Sequence, residues 1–355
     1  MTAKLFTPLK LRDLTLKNRI IVSPMCQYSA IDGVPNDWHM VHLGSRAVGG
    51  ASVVIVEATG VEATGRISNG CLALYNKTQA DAFLPITNFI KSQGAIPAIQ
   101  LAHSGRKGST AVSWVKEGLL SNDEGGWDVV APSSIAFSSR YKIPRELTKS
   151  EILEMVETFK HSARLALEAG FEIIEAHGAH GYLLHQFLSP LSNKRNDEFG
   201  GSLENRMRFP LLVASGLREV WPSHLPVFFR ISATDWVEGG WNLEDSIVLC
   251  RELKKIGIDF IDVSTGGLAS NAKIPVGPGY QVPFAAEIKK QVGILTGSVG
   301  LITEPKQAEE ILNSESADAI LLARELLREP YWPIKAALEL GEEVNVPPQY
   351  ERAYK

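Results

Sequence analysis

"LTKSEILEMVETFKHSARLALEAGFEIIEAHG", residues 147–178, holds one helix and one strand with both junctions marked. Thr148 followed by Glu151 reads as a capping box, in which each side chain satisfies the other residue's free backbone N–H. Gly170 reads as the C-cap, because glycine takes the left-handed conformation there without steric penalty. In the run that follows, "FEIIEAHG" (171–178), the apolar stretch from Ile173 to Ala176 is broken only by Glu175 and stops at His177. Continuous rather than alternating hydrophobicity is what a parallel strand covered on both faces requires.

The same grammar recurs along the chain. "NLEDSIVLCRELKKIG" has Asn242 as N-cap and Gly257 as stop. Seven further apolar runs precede or follow: "RIIVSP" (19–24), "ASVVIVEATG" (51–60), "IPAIQLAHSG" (96–105), "PVFFRIS" (226–232), "FIDVSTGG" (260–267), "GILTGSVG" (293–300) and "DAILLARE" (318–325). Strand alternating with helix eight times predicts an α/β fold, a single (β/α)8 TIM barrel spanning 1–355, with its chemistry at the C-terminal ends of the strands. Two long loops, 105–147 and 178–201, interrupt the pattern, and long loops in a barrel are usually functional. A doubly wound sheet would carry a G-x-G-x-x-G turn after an early strand. The sequence has none, and no G-x-x-x-x-G-K-[ST], H-E-x-x-H or G-x-S-x-G either.

The 355 residues are 45% hydrophobic and 21% charged, a globular profile, with a formal net charge of −4. That charge offers no general attraction to nucleic acid or to an anionic membrane, so the expected partner is a small molecule held by local groups. The N-terminal residues lack an apolar signal core and no stretch reaches the ~20 apolar residues of a membrane span. Three scattered cysteines, Cys26, Cys71 and Cys250, suit a reducing compartment and exclude a cysteine-clustered metal site. A cytoplasmic protein is expected, in which the sequon at Asn76 is idle.

Polar residues at the strand ends should converge on one mouth. Gln100 and Arg230 lie within apolar strands, where an unpaired amide or charge costs several kcal/mol. Either Arg230 pairs with Glu175 on the adjacent strand, or both residues hold a buried planar heterocycle. "TGSVG" and "LLARE" end the seventh and eighth strands, the usual phosphate site of barrels. Gly297 and Gly300 would allow close backbone approach there, and Arg324 would add a bidentate charge. A phosphorylated heterocycle without an adenylate half, such as FMN, fits. His177 and His180 could face one point if the chain makes a helical turn between them. They could bind zinc with His103, pack as core histidines, or aim two N–H donors at one oxygen with Tyr182 as proton source. With no carboxylate cluster beside them, no metal is expected.

"SPMCQYSA", "HGAHGYLLHQFLSPLSNKRNDEFGGSLENRMRF", "TGSVGLI" and "LLARELLREPYWP" together resemble the Old Yellow Enzyme family of FMN-dependent ene-reductases. Cys26 and Tyr28 just after the first strand resemble its YqjM-like or xenobiotic-reductase branch. The resemblance runs from the first strand to the C-terminal "QYERAY". It implies that Ser23, Pro24, Met25, Cys26, Ala58, Gln100, Arg230, Val299, Gly300, Ala323 and Arg324 surround non-covalent FMN. It implies that His177 and His180 bind the carbonyl or nitro oxygen of the substrate, that Tyr182 protonates it, and that Tyr28 lines the pocket. The implied reaction is ping-pong: NADPH or NADH reduces the flavin, whose N5 then passes a hydride to the activated C=C bond of an α,β-unsaturated compound. Larger relatives add an iron–sulfur motif and a Rossmann domain, and this sequence has neither.

The resemblance also bears on the tail, residues 345–355. Pro347 and Pro348 are read as ending the last helix, with Tyr350, Arg352 and Tyr354 alternating along an extended segment. Relatives of this branch form homo-oligomers in which a C-terminal arginine enters the neighbour's pocket, and Arg352 matches that position. A homodimer or homotetramer is expected, acting on xenobiotics. Two rivals remain at the level of sequence: another flavin-barrel reductase of xenobiotics such as nitro compounds and quinones, or a metal-assisted hydrolase or isomerase; and a redox-sensing flavoprotein using Cys26.

Overall fold

The computed structural model describes residues 2–343 and 346–354. Eight parallel strands close into a barrel in chain order: β1 (Ile20–Val22), β2 (Val53–Gly60), β3 (Ile96–Ala102), β4 (Ile173–Gly178), β5 (Val227–Ser232), β6 (Phe260–Ser264), β7 (Leu295–Ser298) and β8 (Ala319–Leu322). Each falls within one of the eight apolar runs. The outer layer is α1 (Asp37–Val48), α2 (Lys77–Ser92), α3 (Lys149–Glu168), α4 (Leu203–Val220), α5 (Leu243–Ile256), α6 (Val282–Val292) and α7 (Pro305–Asn313), followed by α8 (Trp332–Leu340). The expected caps are in place. Thr148 and Glu151 form the reciprocal capping box of α3, and Gly170 follows its end at φ +83°. Asn242 accepts the N–H of Asp245 at 2.9 Å, and Gly257 ends α5 at φ +100°.

Within the continuous apolar runs a second period is hidden. Ile174, Ala176, Val227, Phe229, Ile231, Ile261 and Val263 face outward into the helix-covered shell. The alternate residues face into the barrel and change character as the strands climb. Ala98, Ile173, Phe228 and Phe260 form an apolar floor with Ile21, Val53 and Leu321. Gln100, Glu175, Arg230 and Asp262 come next, all buried, and His177, Ser232 and Ser264 stand at the top. The interior thus grades from hydrocarbon through charge to an open mouth.

An N-terminal hairpin, Leu9–Leu11 with Leu14–Leu16, packs its leucines into that floor cluster. It closes the N-terminal end of the barrel, so a ligand enters only from the opposite end. Gly297 belongs to the same packing. A Cβ there would meet Leu321 Cδ1 at 2.2 Å and Phe260 Cζ at 2.6 Å. The expectation that Gly297 admits a phosphate is therefore corrected: its missing side chain makes room for the core.

The long loops carry local structure. Residues 105–147 include a two-residue parallel ladder, Val130–Ala131 with Arg145–Glu146. Residues 178–201 contain a buried helical turn and a half, Leu183–Leu188. The tail reading needs two corrections. Gly341, at φ +73°, ends α8, six residues before the prolines. Tyr350 is helical in conformation and Glu351–Ala353 form a 3-10 turn rather than an extended segment. No helix among the described residues is long and apolar enough to cross a membrane.

Candidate active site

The loop after β4 builds the centre of the mouth. His177 is the penultimate residue of β4, and His180 follows in the left-handed conformation, φ +58°. That left-handed step, rather than a turn of helix, brings the two imidazoles edge to face with centroids 5.3 Å apart. Tyr182 packs against His177 at 5.1 Å. The loop is pressed against the loop after β6 through two glycines. A Cβ on Gly181 would meet Gly267 O at 2.3 Å, and one on Gly267 would meet His180 Cα at 2.7 Å. Nothing larger fits at either position.

Several bonds then fix His180. Its N–H donates to Ser232 Oγ at 2.9 Å, and its Nε2 lies 2.8 Å from Ser264 Oγ. Lys107, on the turn after β3, donates to His180 O at 2.8 Å and Gly267 O at 2.9 Å, tying the two loops together. Its ammonium also lies 5.0 Å from the Tyr182 ring centroid. Lys107 was not anticipated from the sequence, because the loop it sits on has no periodicity to read.

Electrostatics keep this cluster uncharged except for Lys107. Burial, then the Arg230 guanidinium, holds both His177 and His180 well below the ordinary imidazole range. Neutral imidazoles can each present one N–H. His177 Nδ1 is buried without a partner, and His180 Nδ1 makes no hydrogen bond among the described residues. Burial pushes the Tyr182 phenol well up, so it remains a proton donor at any physiological pH. Lys107 is drawn down to about 8 by burial and by Arg106.

Below the histidines, Gln100 Nε2 donates to Glu175 Oε1 at 2.8 Å. Arg230 lies with Nε 3.0 Å from Asp262 Oδ2, so its carboxylate partner is Asp262 and not Glu175, which the sequence offered as one alternative. The terminal nitrogens of Arg230 and the amide oxygen of Gln100 make no hydrogen bond among the described residues, although both residues are buried. Glu175 and Asp262 were missed as site residues. The polar residues at two-residue spacing, Ile173-x-Glu175-x-His177 and Phe260-x-Asp262-x-Ser264, are the sequence signal that would have found them.

Two clefts flank the histidines. One, of about 150 Å³, runs from Arg230 and Ser264 past Val299 and Gly300 to Ala323 and Arg324. Gly300 has φ +121°, and the Gln281 amide donates to Val299 O at 2.9 Å behind it. Arg324 is exposed and makes no ion pair or hydrogen bond among the described residues. The other cleft, of about 430 Å³, is lined by Tyr28, Lys107, Tyr182 and Tyr141. Trp114 covers Tyr28 edge to face at 5.9 Å.

Ser23, Pro24, Met25 and Cys26 leave β1 toward the mouth, and Ser23 Oγ is buried without a partner. Ala58 sits where the β2 register slips between Val56 and Thr59, a bulge of the kind found beside active sites. The neighbouring Glu57 carboxylate accepts the Gln27 N–H and lies 3.4 Å from His39 Nε2, which fastens the turn after Cys26. Burial and Glu57 push the Cys26 thiol well up, the environment of an inert thiol rather than a reactive one. His103 is spoken for: Nε2 is 3.1 Å from Glu62 and Nδ1 accepts the Gly105 N–H. Among the described residues no cluster of three His, Cys, Asp or Glu could hold a metal ion.

Arg352 is the one predicted residue that stands apart. It is exposed, and the segment before it, Val346–Gln349, lies against Ala47, Val48, Ser92 and Gln93 at the ends of α1 and α2. That is the N-terminal end of the barrel, opposite its own mouth.

These donors fit a flat, polar, phosphorylated ligand. Unsatisfied groups of Ser23, Gln100 and Arg230 meet a partnerless arginine across a glycine-bearing turn. Residues 4–343 match the NADH:flavin oxidoreductase / NADH oxidase family. The chain is 47% identical to the NADPH dehydrogenase of Geobacillus sp. (strain WCH70) over all of both chains. The structure of morphinone reductase in complex with tetrahydroNAD is similar over 97% of this chain and 93% of that one, with 27% identity and a TM-score of 0.79. An old yellow enzyme homologue from Zymomonas mobilis is similar over 96% and 94%, with 25% identity and a TM-score of 0.78.

Proposed function

Since this chain belongs to the NADH:flavin oxidoreductase / NADH oxidase family and is an enzyme of the Old Yellow Enzyme type, we propose that it is an ene-reductase, using FMN and NADPH or NADH to reduce the activated C=C bond of α,β-unsaturated carbonyl or nitro compounds. Bound FMN supplies a two-electron carrier that the nicotinamide reduces and the alkene reoxidises. The observation that carries the reading is the neutral, convergent pair His177 and His180, 5.3 Å apart beside Tyr182.

The chain's residues divide the work. Arg324 and the backbone at Val299 and Gly300 hold the phosphate. Gln100 and Arg230 hold the polar edge of the ring system, and Ser23, Pro24, Met25, Cys26, Ala58 and Ala323 line it. His177 and His180 each donate an N–H to the substrate oxygen. As the alkene is reduced, negative charge grows on that oxygen, so the two donors bind the transition state more tightly than the substrate. Lys107 holds a positive charge nearby and fixes the loop that aims His180. Tyr182 gives its phenolic proton to the α-carbon, and Tyr28 closes the side of the pocket. Arg352 completes the pocket of a second copy in a homodimer or homotetramer, consistent with its distance from its own mouth. A cytoplasmic place and the clearing of electrophilic xenobiotics belong to the same reading.

Mass spectrometry of the chromophore released from purified protein tests the cofactor. One FMN per chain, released without covalent attachment, is expected; FAD or a covalent adduct would overturn the reading.

A further inference from the structure

Beside Gln100 and Arg230, the groups proposed to hold the flavin's polar edge, the barrel holds two carboxylates in the same layer. Glu175 and Asp262 are both 0% exposed. Strand pairing sets Gln100 beside Glu175 and Arg230 beside Asp262, so each ligand-facing group adjoins a buried carboxylate. Among the described residues Glu175 Oε2 and Asp262 Oδ1 have no hydrogen-bond donor, and Asp262 Oδ2 has the ion-pair contact with Arg230 Nε at 3.0 Å. The other interior neighbours bring no second cation. β3 contributes neutral Gln100, and β4 contributes His177, held neutral by burial. β7 contributes Leu295, Gly297 and, just past its end, Val299, with Gly297 level with Asp262, while β1, β2 and β8 contribute Ile21, Val53, Ile55, Ala319 and Leu321. Two fully buried carboxylates sharing one arginine cannot both stay ionised without a large desolvation cost. Burial and the charge of Asp262 push Glu175 up; burial raises Asp262, and Arg230 draws it partly back.

We propose that Glu175 and Asp262 form a proton store for the flavin, holding one proton while it is oxidised and a second while it is reduced. The inference rests on the flavin reading above, with its polar edge on Gln100 and Arg230. NADPH delivers two electrons and one proton to the flavin, which leaves it one unit more negative. Arg230 then faces two anions, the ring edge and Asp262. The balancing proton comes from solvent onto the pair and returns to solvent when the alkene removes the electrons. Tyr182 supplies the α-carbon proton separately. Neither carboxylate touches substrate, so both are positioning residues whose effect reaches the flavin through Gln100 and Arg230.

The test is the reduced-minus-oxidised infrared difference spectrum of the FMN-loaded protein, recorded in H2O and in D2O. A new carboxylic-acid C=O band that shifts in D2O, with loss of carboxylate signal, is expected. In Asp262→Asn that band should vanish. The pH dependence of the flavin midpoint potential should then report one fewer proton per two electrons than in the unaltered protein. A flavin that binds and is bleached by NADPH while the carboxyl region stays silent overturns the proton store and leaves the flavin reading standing. A chain that takes up no flavin, or flavin that NADPH does not reduce, overturns both. The unaltered protein's spectrum decides the matter even if the variant does not fold.

Discussion

Ser264 Oγ lies 2.8 Å from Nε2 of His180 and sets which nitrogen of that imidazole faces the pocket. The competing acceptor for the serine proton, Gln281 Oε1, is farther away at 3.2 Å and also accepts from Thr265 Oγ1 at 2.7 Å, so the imidazole nitrogen is the nearer of the two acceptors. A serine that donates to Nε2 leaves the proton on Nδ1, as an oxyanion donor requires. Ser264→Ala is therefore expected to lower enone turnover by about fivefold, the worth of roughly one hydrogen bond of ~1 kcal/mol. Ser264→Thr, which keeps the hydroxyl, should retain most of it. Steady-state rates with cyclohexenone check both; equal rates in all three proteins would detach Ser264 from the donor geometry.

The two imidazoles also make a pH prediction. Both are held well below their ordinary value by burial and then by Arg230, so they stay neutral where a free imidazole would take up its proton. Reoxidation of the reduced enzyme by enone should show no loss centred near pH 6.5. A loss there would mean that the imidazoles become charged. Stability carries the same sign. Unfolded imidazoles take up protons below about pH 6.5 and the folded ones do not, so this contribution is present above that pH and is lost as pH falls through it. His177→Asn should flatten the acid side of the thermal midpoint profile.

The eight strands were legible because each is a continuous apolar run followed by polar residues, and because the helices announce their ends with Thr148, Gly170, Asn242 and Gly257. The mouth followed from them. What stayed hidden depends on three-dimensional choice. Arg230 has a carboxylate on each side, Glu175 reachable from β4 and Asp262 beside it on β6, and only register and rotamer select Asp262. Gly297 misled because a glycine that admits a ligand and one that admits a leucine look alike in sequence. The hairpin Leu9–Leu16 went unread because three-residue strands are too short to show a period.

At the eighth strand, Arg324 stands beside Gly300 with no hydrogen bond or ion pair among the described residues. Arg324→Ala should loosen FMN by ten- to a hundredfold, as expected for removal of a charge-assisted pair of about 1.5–3 kcal/mol. Hydride acceptance by the flavin that remains should be nearly unchanged. Fluorescence of released FMN measures the affinity, and an unaltered dissociation constant would remove Arg324 from the phosphate site.

The tail offers a separate test. Because Val346–Gln349 lie at the end of the barrel opposite the mouth, deleting residues 349–355 should leave FMN bound and the barrel folded. It should raise KM for enones and weaken the oligomer, if Arg352 serves a neighbouring pocket. Light scattering and steady-state kinetics on the truncated chain check it; unchanged mass and unchanged KM would rule out the shared site.

Central to the whole account is that Tyr182 protonates an alkene whose oxygen is held by His177 and His180. Anaerobic stopped-flow of each half-reaction in Tyr182→Phe measures this directly. Bleaching of the flavin by NADPH should proceed within a few-fold of the unaltered rate, since no α-carbon is protonated in that half. Recovery of the yellow colour with cyclohexenone should slow by about 10²–10⁴, the usual worth of a positioned general acid. Equal slowing of both halves, or of neither, would contradict the assignment.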